Sequence, residues 1–351
     1  MKTDSSTLRK PMINWRPPDQ WVKIVTVDAH SGGEPLRIII DGYPELPGGT
    51  ILEQRRFAKE KLDFLRTALM WEPRGHHEMY GCIITSPVST EADFGILFLH
   101  NEGYSTMCGH GIIAVSMVAA ETGLVKVKEP ETIIRIDAPA GLITAHAKVS
   151  EGRVQSVAFR NVPSFVMALD ETIQVPGLGT IRYDLAFGGA FYAFVQADQV
   201  GLSCRPEEYA ELVEKGMAIK RAVMNARPII HPFENDLSFL YGTIFIAPPI
   251  GPGADSRNVC IFADGEVDRS PTGTGVSARM AIHFARKQIV VGQPLTIESI
   301  IGSRFIGRVV RKTTFEHYDA IIPEVEGTAF MTGRNEFWID PDDPFRNGFL
   351  I

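Results

Sequence analysis

Basic clusters are scarce in this chain. Its 35 Lys and Arg are outnumbered by 42 Asp and Glu, for a formal charge of −7 over 351 residues. No dense Lys/Arg stripe forms, so neither nucleic acid nor an anionic membrane is an expected partner. Long apolar runs are missing too: none approaches the roughly 20 residues that span a bilayer. The opening MKTDSSTLRKPMINWRPPDQ lacks the apolar block of a secretory signal. The expectation is a cytoplasmic protein that handles small molecules. Cysteine is also sparse. Cys82, Cys108, Cys204 and Cys260 stand apart, with no C-x-x-C pair and no histidine cluster at ligand spacing. Neither a disulfide framework nor a metal site is expected, and the thiols are expected to be reduced.

What is present is an ordinary globular composition, 44% hydrophobic and 22% charged, on a chain too long for one small core and suited to two domains. The first half is rich in β-branched segments such as WVKIVTVDAH, LRIIIDG, EADFGILFLHNEG, TIIRIDAPAGLITAHAKV and RVQSVAFRNVPSFV, which read as strands. A charged helical stretch, ILEQRRFAKEKLDFLRTALMW, interrupts them. GHGIIAVSMVAAETGL reads as a helix buried on most sides and closed by Gly123. The second half repeats the theme, with a charged helix EEYAELVEKGMAIKRAVMNA, strands LYGTIFIAPP and NVCIFADGEVD, and then TGTGVSARMAIHFARKQIV. Setting CGHGIIAVSMVA against TGTGVSARMAIH aligns Gly109 with Gly273, Gly111 with Gly275 and Ala114 with Ala278. Each set heads a helix that follows a strand, which implies a duplicated domain.

Those two helix starts carry the chemistry. The first turn of a helix leaves backbone N–H groups without partners, and glycines there let an anion such as a carboxylate approach the backbone. The same field favours a thiolate, so Cys108 is expected to have a lowered pKa and to serve as base or nucleophile. The alternative is a structural core cysteine. Asp268 is either a turn residue bonding nearby backbone or the receiver of a substrate ammonium. His110 is either a satisfied structural histidine or a hydrogen-bonding contact to a ligand. Thr272 is a good helix cap and by its pKa no base.

The motifs MCGHG (107–111), DRSPTGTGVSARMA (268–281), HSGGEPLR (30–37), PRGH (73–76) and the ending GTAFMTGRNEFWIDPDDPF together resemble the proline racemase family over almost the whole chain. The resemblance implies an α/β (α+β) fold like that of diaminopimelate epimerase: two pseudo-symmetric domains, each a curved sheet or barrel around a central helix, with the active site between them. The expected first domain covers residues 1–170 and carries Cys108; the second covers 171–327 and carries Thr272. The last strand, about 328–351, is expected to return to the first domain. Relatives of this architecture suggest a homodimer.

Members of the family that racemise or epimerise proline derivatives use two cysteines, one on each face of the α-carbon, and no cofactor. Here Cys108 stands in the first position and Thr272 in the second. The resemblance is to the threonine branch, whose activity is the dehydration of trans-3-hydroxy-L-proline, and HPFENDLSFLYGTIF (231–245) points the same way. It implies that the Cys108 thiolate takes the α-proton and the β-hydroxyl leaves, giving Δ1-pyrroline-2-carboxylate. It also implies that Gly109, His110, Gly273 and Thr274 hold the carboxylate and that Asp268 binds the ring nitrogen. Thr272 either contacts the leaving oxygen, directly or through a water, or only occupies space. Competing expectations are a 4-hydroxyproline 2-epimerase or proline racemase, and an imino-acid binding protein without chemistry.

Overall fold

A computed structural model describes residues 5–351; residues 1–4 of the opening stretch lie outside it. Its 17 strands join into one continuous sheet that folds into two lobes. In the first lobe the spatial strand order is 329–339, 22–31, 34–41, 80–85, 94–100, 131–138, 141–150, 153–160. In the second it is 164–175, 179–187, 191–196, 240–247, 256–262, 295–298, 304–315, 318–327. The sense of successive pairings is the same in both: antiparallel, antiparallel, parallel, antiparallel, parallel, antiparallel, antiparallel. Each parallel step needs a crossover, and helices fill these steps. Strand 318–327 also pairs with 153–160 and with 164–175, which stitches the lobes together.

The expected limits are 1–170 plus about 328–351, and 171–327; because strand Ser164–Val175 pairs within the second lobe, we propose that the domains divide just before it, after strand Arg153–Arg160. The pairing of Ala329–Ile339 with Val22–Ser31 supports returning the last strand to the first domain.

Local chemistry explains most elements. Glu131–Ala138 alternates exposed and buried residues, as a strand with one wet face must. Thr50 and Glu53 form a reciprocal capping box at the start of helix Ile51–Lys61. The stretch 51–71 is not one helix, however: Leu62, at φ −125° and ψ 13°, leaves helical geometry, and a second helix runs Asp63–Met70. RVQSVAFRNVPSFV likewise divides, because Asn161 turns its amide to the Gly188 carbonyl and the Ser277 hydroxyl between strands 153–160 and 164–175.

Two helices run inside the lobes. The first central helix, Gly109–Glu121, is buried at every residue through Ala120; the second, Gly273–Ala285, is buried through Ile282. A helix ringed by sheet has no wet face, which is why neither shows a polar stripe in its first turns. Their N-termini meet tip to tip. A Cβ added to Gly109 would lie 2.5 Å from Gly273 Cα, and one added to Gly273 would lie 2.7 Å from Gly109 Cα. Only glycine permits this approach.

Gly109→Ala is therefore predicted to destabilise the protein by about 1–3 kcal/mol through overpacking. Gly103→Ala, where nothing lies within 4 Å, should stay within about 0.5 kcal/mol of the parent. Urea unfolding of both variants checks the contrast.

Candidate active site

Every residue singled out from the sequence sits at or beside the meeting point of the two helix tips. Cys108 is the N-cap of the first central helix, in extended geometry at φ −141° and ψ 109°. Its Sγ accepts from the Gly111 amide at 3.2 Å and lies 3.3 Å from His110 Nδ1. A Cβ on Gly111 would lie 2.8 Å from that sulfur, so the glycine is what lets the side chain fold back over its own helix. His110 is buried against the edge of Tyr80, with ring centroids 4.9 Å apart. Burial holds its pKa down at about 3, while a hydrogen bond to the Pro35 carbonyl opposes this. The imidazole is neutral. Both ring nitrogens face the sulfur, Nδ1 at 3.3 Å and Nε2 at 3.6 Å.

The expected lowering of the Cys108 pKa is not found. Burial pushes the thiol well above its ordinary value, the Gly111 amide pulls the other way, and the nearby Asp268 and Glu34 carboxyls raise it further. The local logic of a helix N-terminus was sound but incomplete: a sulfur only 4% exposed loses hydration that the helix field does not replace.

Thr272 holds the equivalent place on the second helix with a different backbone. It adopts φ 66° and ψ 91°, a region costly for a β-branched residue, and its side chain makes no capping bond. Its amide donates to Ser270 Oγ, while its Oγ1 is buried with no protein hydrogen-bond partner. The role of helix cap is thereby corrected. Gly273 and Thr274 follow. The Thr274 hydroxyl is committed to Tyr192 at 2.6 Å, leaving its amide in the first turn of the helix. Together with Gly109 and His110, these residues direct first-turn backbone amides from two helices at one point.

Asp268, 6% exposed, accepts from the Ser270 amide at 2.7 Å, as a turn residue does. Burial raises its pKa to about 6 against the opposing contacts of Ser270 and of the neighbouring Thr272 side chain. A carboxyl held this way gains from a cationic partner.

Sequence reasoning passed over several residues here. Glu34, inside the HSGGEPLR motif, is fully buried. Its Oε2 accepts from the Arg269 amide at 2.7 Å, and Oε1 has no partner. Arg269 forms an ion pair with Glu78, which also accepts from the Val267 amide at 2.9 Å and from the Tyr209 hydroxyl at 2.6 Å, so these groups tie the lobes together. Tyr80 bonds Ser105 beside His110. No pattern at these positions announces a site; each is brought in by strand pairing between distant segments. Among the described residues, no group of three or more His, Cys, Asp or Glu stands together as a metal-binding cluster, and no helix is long and apolar enough to cross a membrane.

The fold defines a class of two-lobed α/β proteins, each lobe a sheet around a central helix, with the two helix tips facing each other. The proline racemase family model matches residues 26–350, and the chain belongs to that family. A Colwellia psychrerythraea protein named trans-3-hydroxy-L-proline dehydratase is 47% identical over 340 residues, covering 96% of each chain. A Bacillus cereus protein of the same name is 48% identical over 326 residues, 93% of this chain and 97% of that one. The crystal structure of a hydroxyproline epimerase from Agrobacterium vitis with bound trans-4-hydroxy-L-proline superposes with a TM-score of 0.89. It is 32% identical and covers 95% of this chain and 96% of its own.

The affinity for L-proline, used as an ammonium-bearing probe, is predicted to fall as pH drops through about 6. Asp268 is neutral below that point and ionised above it. The loss should approach about tenfold per pH unit and be absent in Asp268→Asn; calorimetric titration between pH 5 and pH 8 measures it.

Proposed function

We propose that this protein is a hydro-lyase that dehydrates trans-3-hydroxy-L-proline to Δ1-pyrroline-2-carboxylate, with Cys108 as the base and no cofactor. The single observation that carries this reading is the unequal pair at the helix tips: a thiol at 108 and a hydroxyl with a methyl at 272. Relatives at 47% and 48% identity bearing the dehydratase name support the substrate.

In this account the substrate carboxylate lies on the amides of Gly109, His110, Gly273 and Thr274, and the ring nitrogen on Asp268. The α-carbon then sits between Cys108 and Thr272. An α-hydrogen beside a carboxylate is weakly acidic, so the main demand is to stabilise the enolate-like charge that develops as it leaves. Preorganised amides in a site sealed from water are suited to this, each worth about 3 kcal/mol of barrier when well aimed. The raised thiol fits a site that works only when occupied. The lobes must part for the substrate to reach residues so deeply buried; the thiol proton leaves to water admitted then, and the incoming ammonium supplies the positive charge that favours the thiolate left behind. Electron density then moves from the α-carbon toward C3, the C3–O bond breaks, and the enamine tautomerises to the imine. With no thiol at position 272, a proton is not returned to the opposite face, which separates this reaction from racemisation. We place the reaction in a reducing, cytoplasmic setting; four free, buried cysteines support this.

Incubation with trans-3-hydroxy-L-proline should yield the imine, followed by its reaction with o-aminobenzaldehyde. Cys108→Ser should lower turnover about 10²–10⁴-fold; retention of turnover would end the proposal. Thr272→Cys should acquire slow α-epimerisation of 4-hydroxyproline, about 10²-fold below the parent dehydration rate, read by chiral chromatography.

A further inference from the structure

The departing hydroxyl needs a proton, and the substrate's stereochemistry restricts where it can come from. In trans-3-hydroxy-L-proline the 3-hydroxyl is trans to the carboxylate, so it projects from the same ring face as the α-hydrogen. On the reading above, which this inference rests on, that is the Cys108 face. Thr272, opposite, is then on the wrong side to meet the leaving oxygen. The acid must come from the lobe that carries Cys108.

The titratable groups around the sulfur on that side can be taken in turn. The His110 ring, buried against the sulfur, is hard to protonate. The Tyr80 hydroxyl lies against both Ser105 and the sulfur, and burial makes it a far weaker acid than a free phenol. Glu34 remains. It is 0% exposed, with one carboxyl oxygen tied to the Arg269 amide at 2.7 Å and the other, Oε1, without any partner. Its position in the chain places it between the two halves of the site. Its neighbour Pro35 lies beside His110, which itself packs on the sulfur, and its own carboxyl holds the residue next to Asp268. The hairpin that presents it is wedged in by Gly32, where a Cβ would lie 3.2 Å from Ser270 Cβ. A fully buried carboxyl with a free oxygen is costly unless it is neutral or finds a partner. Burial, with Asp268 beside it, raises its pKa well above the ordinary range, and the Arg269 guanidinium, 3.8 Å from Oε2, opposes them.

We propose that Glu34 is a second catalytic residue, the general acid that donates its Oε1 proton to the C3 hydroxyl as it leaves. The C3–O bond breaks with its electron pair on oxygen, and that oxygen takes the Glu34 proton to depart as water. Cys108 holds the former α-hydrogen as a thiol and Glu34 is left as a carboxylate. Proton transfer from the thiol to Glu34, through water admitted when the lobes part, restores both groups. The sum is substrate to enamine plus water.

The test compares leaving groups. Chloride departs without a proton, so trans-3-chloro-L-proline bypasses the acid but not the base. Glu34→Gln should lower dehydration of trans-3-hydroxy-L-proline by about 10²–10³-fold. It should keep chloride elimination within about threefold of the parent and still exchange the α-hydrogen of the hydroxy substrate for deuterium in D2O. Loss of chloride elimination equal to the loss of dehydration, in a variant with parental thermal unfolding, would make Glu34 structural and overturn the proposal; so would unimpaired dehydration. If Glu34→Gln does not fold, Glu34→Asp, with its shorter arm, should show the same divergence between the two leaving groups, and equal losses would again overturn it. Cys108→Ala separates the two readings: it should lose exchange and both eliminations, and if it keeps them the base assignment fails whatever Glu34 does.

Discussion

Two helices pointing their positive ends at each other, close enough for glycine Cα atoms to touch, set the terms for the rest of the molecule. Each helix start carries a partial positive charge of about half a unit, and like charges at this distance repel. The arrangement is favourable only if something negative sits between them or beside them. The Asp268 carboxyl, ionised above about pH 6, and the carboxylate of the proposed substrate are the available negative groups. On the reading proposed above, an anion held between the tips neutralises the field that the two helix starts create, and the enclosing lobes exclude the water that would weaken that field.

The scaffold around this point is a repeat carried through in the order and sense of the strand pairings of both lobes. The chemistry placed on it is not repeated. On one side a residue in extended geometry turns a thiol back to its own helix amide and a neutral imidazole. On the other a β-branched residue is held at positive φ with its hydroxyl unpartnered. An enzyme that exchanges protons on both faces needs two comparable groups. In the proposed mechanism this one has a base on one face and bulk on the other, and the acid assigned to Glu34 comes from the base's own lobe. A one-sided elimination is what such a distribution can perform.

Much of this could be read before any coordinates. Alternation in segments such as Glu131–Ala138 and the spacing of glycines 109, 111, 273 and 275 are local signals, and they pointed to strands, helix starts and a duplication. Cys108, His110, Asp268 and Thr272 were legible because each lies in one of those short motifs. What could not be read depends on distance through space. Glu34 meets the Arg269 amide across 235 residues of sequence, and Tyr80 reaches His110 only because strand 80–85 lies beside strand 34–41. The Cys108 pKa was misjudged for the same reason: a helix start is visible in sequence, but the enclosure that dehydrates the sulfur is built by both lobes. The break at Leu62 was hidden because its neighbours on either side all favour helix.

The central claim is that α-proton chemistry occurs on one face only, and L-proline in D2O tests it with no leaving group to confuse the result. Proton NMR and chiral chromatography should show deuterium replacing the α-hydrogen of L-proline with retention of configuration, while D-proline is neither formed nor exchanged. Accumulation of D-proline, or exchange in both enantiomers, would mean that a second group works from the Thr272 side and would contradict the account.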